Sequence, residues 1–171
     1  GRAEILEIIE AADHCVLAMV DETGPVPLPY AVALNYGFEP APDTSPSGIF
    51  WFHSALTGRK IDVIRRNPNV CIELDCQHEP EVSPLACGWG MKYASVIATG
   101  RATVVEDARE RERGLDCLMR HYMKQWRVSV AELAAGSASE SQLLGNYQPS
   151  VLGRTSVIRV DAAIMTAKRK R

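Results

Sequence analysis

Apolar residues near the start of the chain recur at helical intervals: Ile5, Leu6, Ile8, Ile9 and Ala12 fall between Glu4, Glu7 and Glu10, which predicts a short amphipathic helix ending near Asp13. The next run, CVLAMV at 15–20, is unbroken and apolar, as a buried strand is. A polar turn at 21–25 leads into PLPYAVALNYGF at 27–38, where Tyr30, Val32 and Leu34 alternate with smaller residues. This predicts a second strand, paired with the first as a hairpin. Its prolines stand at the beginning, where a missing N–H is tolerated. Three prolines in EPAPDTSPS, 39–47, predict a loop, and GIFWFH, 48–53, a third strand.

TGRKIDVIRRNP, 57–68, reads as a short helix with Thr57 as N-cap, Asp62 in the first turn, Ile61 and Ile64 on one face and Asn67-Pro68 as the stop. NVCIELDC, 69–76, predicts a fourth strand with Val70, Ile72 and Leu74 on one face, and 77–88 a loop. MKYASVIATGRATVVED, 91–107, predicts one long strand bent at Gly100. Asp107 to Glu110 have capping-box spacing, and Leu115, Leu118, Met119 and Tyr122 follow at i, i+3, i+4 and i+7, so a helix follows. VAELAAG, 130–136, is expected as a helical turn and SASESQ, 137–142, as a loop; TSVIRVDAAIM, 155–165, supplies the last strand. Five or six strands with short connections and no βαβ rhythm predict a mainly β (α+β) fold: a small antiparallel barrel with peripheral helices, in one domain spanning 1–171.

Nineteen Lys and Arg against 21 Asp and Glu give a formal charge of −2, so the total favours neither nucleic acid nor an anionic membrane. The basic end, Lys168 to Arg171, is expected to be a solvated, frayed terminus. Five cysteines form an odd set without CxxC or zinc-ligand spacing, which points to reduced thiols and a cytoplasmic location. Cys15 and Cys71 sit among Val, Leu and Ile as core residues do, whereas Cys87 beside Gly88 is expected to be exposed. The acids at Glu4, Glu7, Glu10 and Asp13 leave the opening residues without a signal peptide's apolar centre, although a native leader ahead of them stays open.

One stretch concentrates chemistry. FHSALTGRK, 52–60, places His53 and Ser54 at a strand end and Arg59 and Lys60 at a helix start. A helix N-terminus offers unpaired N–H donors and about half a positive charge, so it attracts an anion. Gly58 allows close backbone approach, Arg59 and Lys60 add charge, and Ser54 can give one more hydrogen bond, which together suit a phosphate monoester. The competing reading is a solvated cationic helix face. Neither GxxxxGK[ST] nor GxGxxG is present, which excludes the Walker and Rossmann nucleotide classes, and Ser54 has no GxSxG elbow. His53, His14, His78 and His121 show no metal-ligand spacing, so no metal is expected.

The segments PYAVALNY (29–36), FWFHSALTGRKIDVIRRNPNVCIELD (50–75), WGMKYASVIATGRATVVED (89–107), LMRHY (118–122) and VIRVDAAIMTAKRKR at the end resemble the FMN-binding split barrels related to pyridoxamine 5′-phosphate oxidase. Within that family they resemble the nitroimidazole-resistance (Nim-like) branch. The resemblance implies a six-stranded antiparallel split barrel and a homodimer with FMN at the subunit interface. By position, Ser54, Arg59 and Lys60 would hold the phosphate, Ala55 would be a further cofactor-binding residue, and Ala31, Val32, Ala33, Leu34 and Asn35 would lie along the isoalloxazine, with backbone groups of Ala33 and Asn35 at its polar edge. Tyr93 and Ser95 would complete the site, Trp89 would come from the partner subunit, and His53 would stand near the flavin as the catalytic residue. Relatives usually read PYVVPL and YRSV, where this chain has Ala33 and Ala94. The activity so implied is FMN-dependent reduction of a small planar acceptor such as a nitro-aromatic; the alternative is a flavin or haem carrier without turnover, the haem held through His53.

Overall fold

The computed structural model describes residues 1–42, 47–125 and 144–170. Helix α1 (Arg2–Ala11) turns Ile5, Ile8 and Ile9 inward. Strands β1 (Cys15–Asp21) and β2 (Leu28–Leu34) form the expected hairpin, in register from Cys15 opposite Leu34 to Asp21 opposite Leu28. Along β1 the side chains of Cys15, Leu17, Met19 and Asp21 alternate into the interior, the period of two that a half-covered sheet requires. Strand β3 (Gly37–Pro40) pairs with β4 (Gly48–Ala55), helix α2 spans Arg59–Arg66, and β5 (Asn69–Glu81) pairs with β6 (Gly90–Val105). Helix α3 (Ala108–Gln125), a short α4 (Pro149–Leu152) and β7 (Thr155–Lys170) complete the fold. The spans expected for VAELAAG and SASESQ lie outside the described residues.

All strands belong to one antiparallel sheet, ordered β2-β1-β5-β6-β7-β4-β3, which curls around the core without closing. Among the described residues it has seven strands rather than six. The extra strand arises because 27–38 is not continuous: the chain leaves β1 after Leu34 and turns at Tyr36, which is fully buried. The Tyr36 hydroxyl donates to the carbonyls of Ile9 and of Ala12 (3.0 Å), and its N–H donates to the Tyr122 hydroxyl (3.2 Å). Those bonds redirect Gly37–Pro40 to β4, so Glu39 and Pro40, expected in a loop, are strand residues.

Three further expectations are corrected. Residues 77–81 continue β5 instead of looping, with an irregularity between Cys76 and Glu79 where Gln77 has a φ of 61°. The N-cap of α2 is Gly58 rather than Thr57, and no side chain caps it. The basic terminus is not frayed: Lys168, Arg169 and Lys170 are strand residues, Arg169 pairs with Glu4 (3.3 Å) and Glu7 (3.0 Å), and Lys170 pairs with Glu81. Asp107 caps α3 as read, its Oδ1 accepting the Glu110 N–H at 2.8 Å. The bend at Gly100 coincides with a register shift against β7, where a Cβ would lie 2.1 Å from the Asp161 carbonyl oxygen.

The main core lies inside the curled sheet, where Leu17, Tyr36, Phe50, Phe52, Ile72, Leu74, Val96 and Ile158 pack with Ile8 and Ile9 of α1 and Ile61 and Val63 of α2. A smaller cluster of Trp51, Val105, Cys117 and Val157 sits on the opposite face of β4 and β7 beneath α3. Cys15 is buried and its thiol is pushed up to about 12 by desolvation; Cys71, expected in the core, is half-buried because its side chain alternates to the outer face, and Cys87 is exposed. Among the described residues no helix is long and apolar enough to cross a membrane.

Candidate functional site

Strand β4 ends at Ala55, and three residues later α2 begins, anchored by the buried side chains of Ile61, Val63 and Ile64. The junction depends on Gly58, whose φ of +129° suits glycine and almost no other residue, and around which no atom would meet a Cβ. The backbone is therefore open to approach at this point. The Gly58 carbonyl accepts from Ile61 N (2.9 Å) and Asp62 N (3.2 Å), while the first N–H groups of the helix have no side-chain cap.

The two cations differ. Lys60 is half-buried, burial holds its ammonium below the usual lysine range, and it has no ion-pair partner among the described residues. A partly desolvated ammonium without a counter-ion favours an incoming anion. Arg59 donates from Nε to Asp21 Oδ2 at 2.7 Å, and its guanidinium lies over the Tyr30 ring, 4.2 Å from the centroid. Asp21 is buried at the end of β1; its other oxygen accepts from the Thr23 hydroxyl and the Thr23 N–H (2.9 Å), and these bonds with that to Arg59 bring its carboxyl down to about 2.

Ser54 is half-exposed at the end of β4, opposite Ser156. His53, next to it, is exposed, and strand alternation sends its side chain to the face shared with Trp51, away from the face of Phe52 and Ser54. The structure thus brings Ser54 and the start of α2 together and turns His53 the other way. Strand β2 is an edge of the sheet, with Ala31, Ala33 and Asn35 exposed and Val32 and Leu34 half-buried, so small side chains and one free backbone edge face outward. Arg59 over Tyr30 links the start of α2 to this strand.

Tyr93 and Ser95 occupy the beginning of β6, opposite Lys170 and Lys168, whereas Ser54 lies beside the start of β7, whose Val157 pairs with Val105 at the far end of β6. The β6–β7 register therefore sets these groups at opposite ends of one strand. Trp89, 63% exposed, stands before β6 with its indole N–H donating to the Ser83 carbonyl at 2.8 Å. Ala94 is fully buried in the core, so the position where relatives carry Arg does not face solvent in this chain. Among the described residues no group of three or more His, Cys, Asp or Glu could hold a metal ion.

Sequence reasoning missed Asp21 and Tyr30. The Asp21-to-Thr23 turn is a local pattern of a recognised kind. The Asp21–Arg59 pairing spans 38 positions and has no local signal.

A family model described as pyridoxamine 5′-phosphate oxidase matches residues 1–169. No curated protein is significantly similar in sequence. A solved structure from Bacteroides thetaiotaomicron, named for 5-nitroimidazole antibiotic resistance, is 28% identical over 98% of this chain and 82% of its own, with a TM-score of 0.71. An FAD and haem binding protein from Mycobacterium smegmatis (14% identical, 99% of this chain, 70% of its own, TM-score 0.68) shares the fold. So does an FAD-binding protein from Mesorhizobium loti (18%, 100%, 96%, TM-score 0.61).

Proposed function

Because the chain belongs to the pyridoxamine 5′-phosphate oxidase family over residues 1–169, we propose that it binds FMN and reduces a small planar acceptor such as a nitro-aromatic. One observation carries the reading: the uncapped start of α2, with half-buried Lys60 that has no ion pair among the described residues, opens beside the exposed edge strand β2. The residues fit the cofactor. First-turn N–H groups, Lys60, Arg59 and the Ser54 hydroxyl hold a phosphate, and Ala31, Ala33 and Asn35 offer a flat strand edge to a planar ring. When bound, the flavin supplies the electron transfer, while the protein supplies position, charge and exclusion of water.

His53 is the proton donor in this proposal; within one chain its side chain lies on the opposite face of β4 from Ser54, so it serves the flavin held by a second copy of the chain. His14 and His78 are each bonded to an aspartate and His121 is mostly buried, so His53 is the exposed imidazole without a partner among the described residues. The family member named for nitroimidazole resistance supports the nitro-aromatic acceptor. A site containing both Ser54 and the Tyr93–Ser95–Trp89 group needs a second copy of the chain, since one chain holds them at opposite ends of β6. Exposed Ile97 and Ile164 on the outer face of the sheet suit such a contact. We therefore also propose a homodimer in the cytoplasm.

The test is an absorption spectrum after FMN addition and desalting, followed by NAD(P)H with and without a nitroimidazole. Paired flavin bands that bleach and recover with the acceptor support the proposal; protein that retains no flavin overturns it. His53→Ala keeps the flavin and slows acceptor reduction by about 100-fold or more. The second reading, a carrier without turnover, rests on the same free imidazole, which suits a haem iron as well as a proton acceptor. It is the result if flavin never bleaches, or if added haemin gives a Soret band that His53→Ala removes.

A further inference from the structure

Among the charged groups of the described residues, Asp21 is the one whose carboxylate is buried and held from both sides. One oxygen takes both donors of Thr23 and the other takes Arg59 Nε, at 2.7 Å. The hydrogen bond to Asp21 uses only Nε, so the Nη1–Nη2 end of the guanidinium, the end suited to a bidentate phosphate contact, keeps its donors. The ring of Tyr30 beneath the guanidinium, 4.2 Å from Cζ to centroid, fixes its plane. Arg59 itself is 52% exposed and would otherwise sample many rotamers.

We propose that Asp21, anchored by Thr23, is a positioning residue that holds Arg59 over Tyr30 with its fork turned to the phosphate of the bound nucleotide. The inference rests on the FMN reading above and goes beyond it, because that reading assigns Asp21 to neither the cofactor nor the acceptor and its carboxylate is bonded to Thr23 and Arg59. Two effects oppose each other when Asp21 loses its charge. Removing a negative group weakens repulsion of the phosphate, but the exposed side of Arg59 is screened by solvent and salt, whereas a disordered fork must be immobilised on binding. The ordering cost is the larger.

The test is isothermal titration of the full chain at physiological salt with FMN and with riboflavin, which lacks the phosphate, for wild type, Asp21→Asn, Arg59→Ala and the double variant. Asp21→Asn is expected to lower FMN affinity by about three- to tenfold, the cost of ordering one long side chain, and to leave riboflavin affinity unchanged. In the Arg59→Ala background it is expected to add nothing. Unchanged or tighter FMN binding, an equal loss for both ligands, or the same loss without Arg59 overturns the role of Asp21. A wild type that takes up neither flavin removes the FMN reading, and this inference with it. Should Asp21→Asn not fold, Thr23→Val, which frees the far oxygen without touching Arg59, is expected to give the same loss for FMN alone; equal losses for both ligands then overturn the proposal.

Discussion

Lys60 gives the sharpest prediction, because the same side chain is set against stability and in favour of binding. Its ammonium is half-buried without a counter-ion, so burial lowers its affinity for a proton from the ordinary 10.5. Where the folded pKa of a lysine is depressed, the charged form costs stability below that pKa, and the cost is relieved as pH rises toward the unfolded value. Replacing Lys60 with Met keeps the length and removes the charge, so the flavin-free protein is expected to melt at a higher temperature at pH 7. FMN binding moves the other way. A charge-assisted contact contributes about 1.5–3 kcal/mol, and with tenfold for every 1.4 kcal/mol the loss is roughly 10- to 100-fold in Kd. Riboflavin affinity stays as it was. Titrated against pH, wild-type FMN affinity declines on the alkaline side, beginning below the ordinary lysine range, and Lys60→Met lacks that limb. An FMN affinity within twofold of wild type, or an equal loss for riboflavin, refutes the placement of the phosphate at α2.

Other consequences follow from single contacts. Tyr36→Phe removes the hydroxyl that bonds the carbonyls of Ile9 and Ala12 and is expected to destabilise by about 1–3 kcal/mol in urea unfolding, with helical and sheet content unchanged. Gly100→Ala drives a methyl group against the Asp161 carbonyl and costs about 2–3 kcal/mol or more, read as a lower Tm. Ile164→Glu, at a position 64% exposed, leaves the fold intact and makes the chain monomeric in sedimentation, with FMN affinity lost alongside; a monomeric wild type refutes the dimer. Acid weakens the Asp21 contact as pH falls from the unfolded carboxylate range through about 2, because a depressed carboxyl stabilises only while ionised; the acid unfolding of Asp21→Asn is correspondingly less steep there.

The helices and most strands were legible because their signals are local. An unbroken apolar run marked β1, alternation marked β2, capping chemistry marked Asp107, and Gly100 marked the bend in β6. The stretch proposed to hold a phosphate was readable for the same reason: Ser54, Gly58, Arg59 and Lys60 are neighbours in the chain, and a helix start beside cations is recognisable without coordinates. Errors fell where a distant contact decided the outcome. A continuous β-like run at 27–38 was divided by Tyr36 reaching across to α1 and α3, which added the seventh strand. The basic terminus looked solvated until Glu4 and Glu7, from the far end of the sequence, paired with Arg169 and Glu81 of β5 paired with Lys170.

By itself, the sequence determined the element types, the mainly β class and the cationic helix start, since period, turn residues and adjacency are properties of short segments. Tertiary structure alone decided that Asp21 meets Arg59 over Tyr30 and that Tyr93 and Ser95 lie at the other end of β6 from Ser54. These depend on strand register and on pairings tens of residues apart. Such contacts form only once burial of the shared core has brought those segments together.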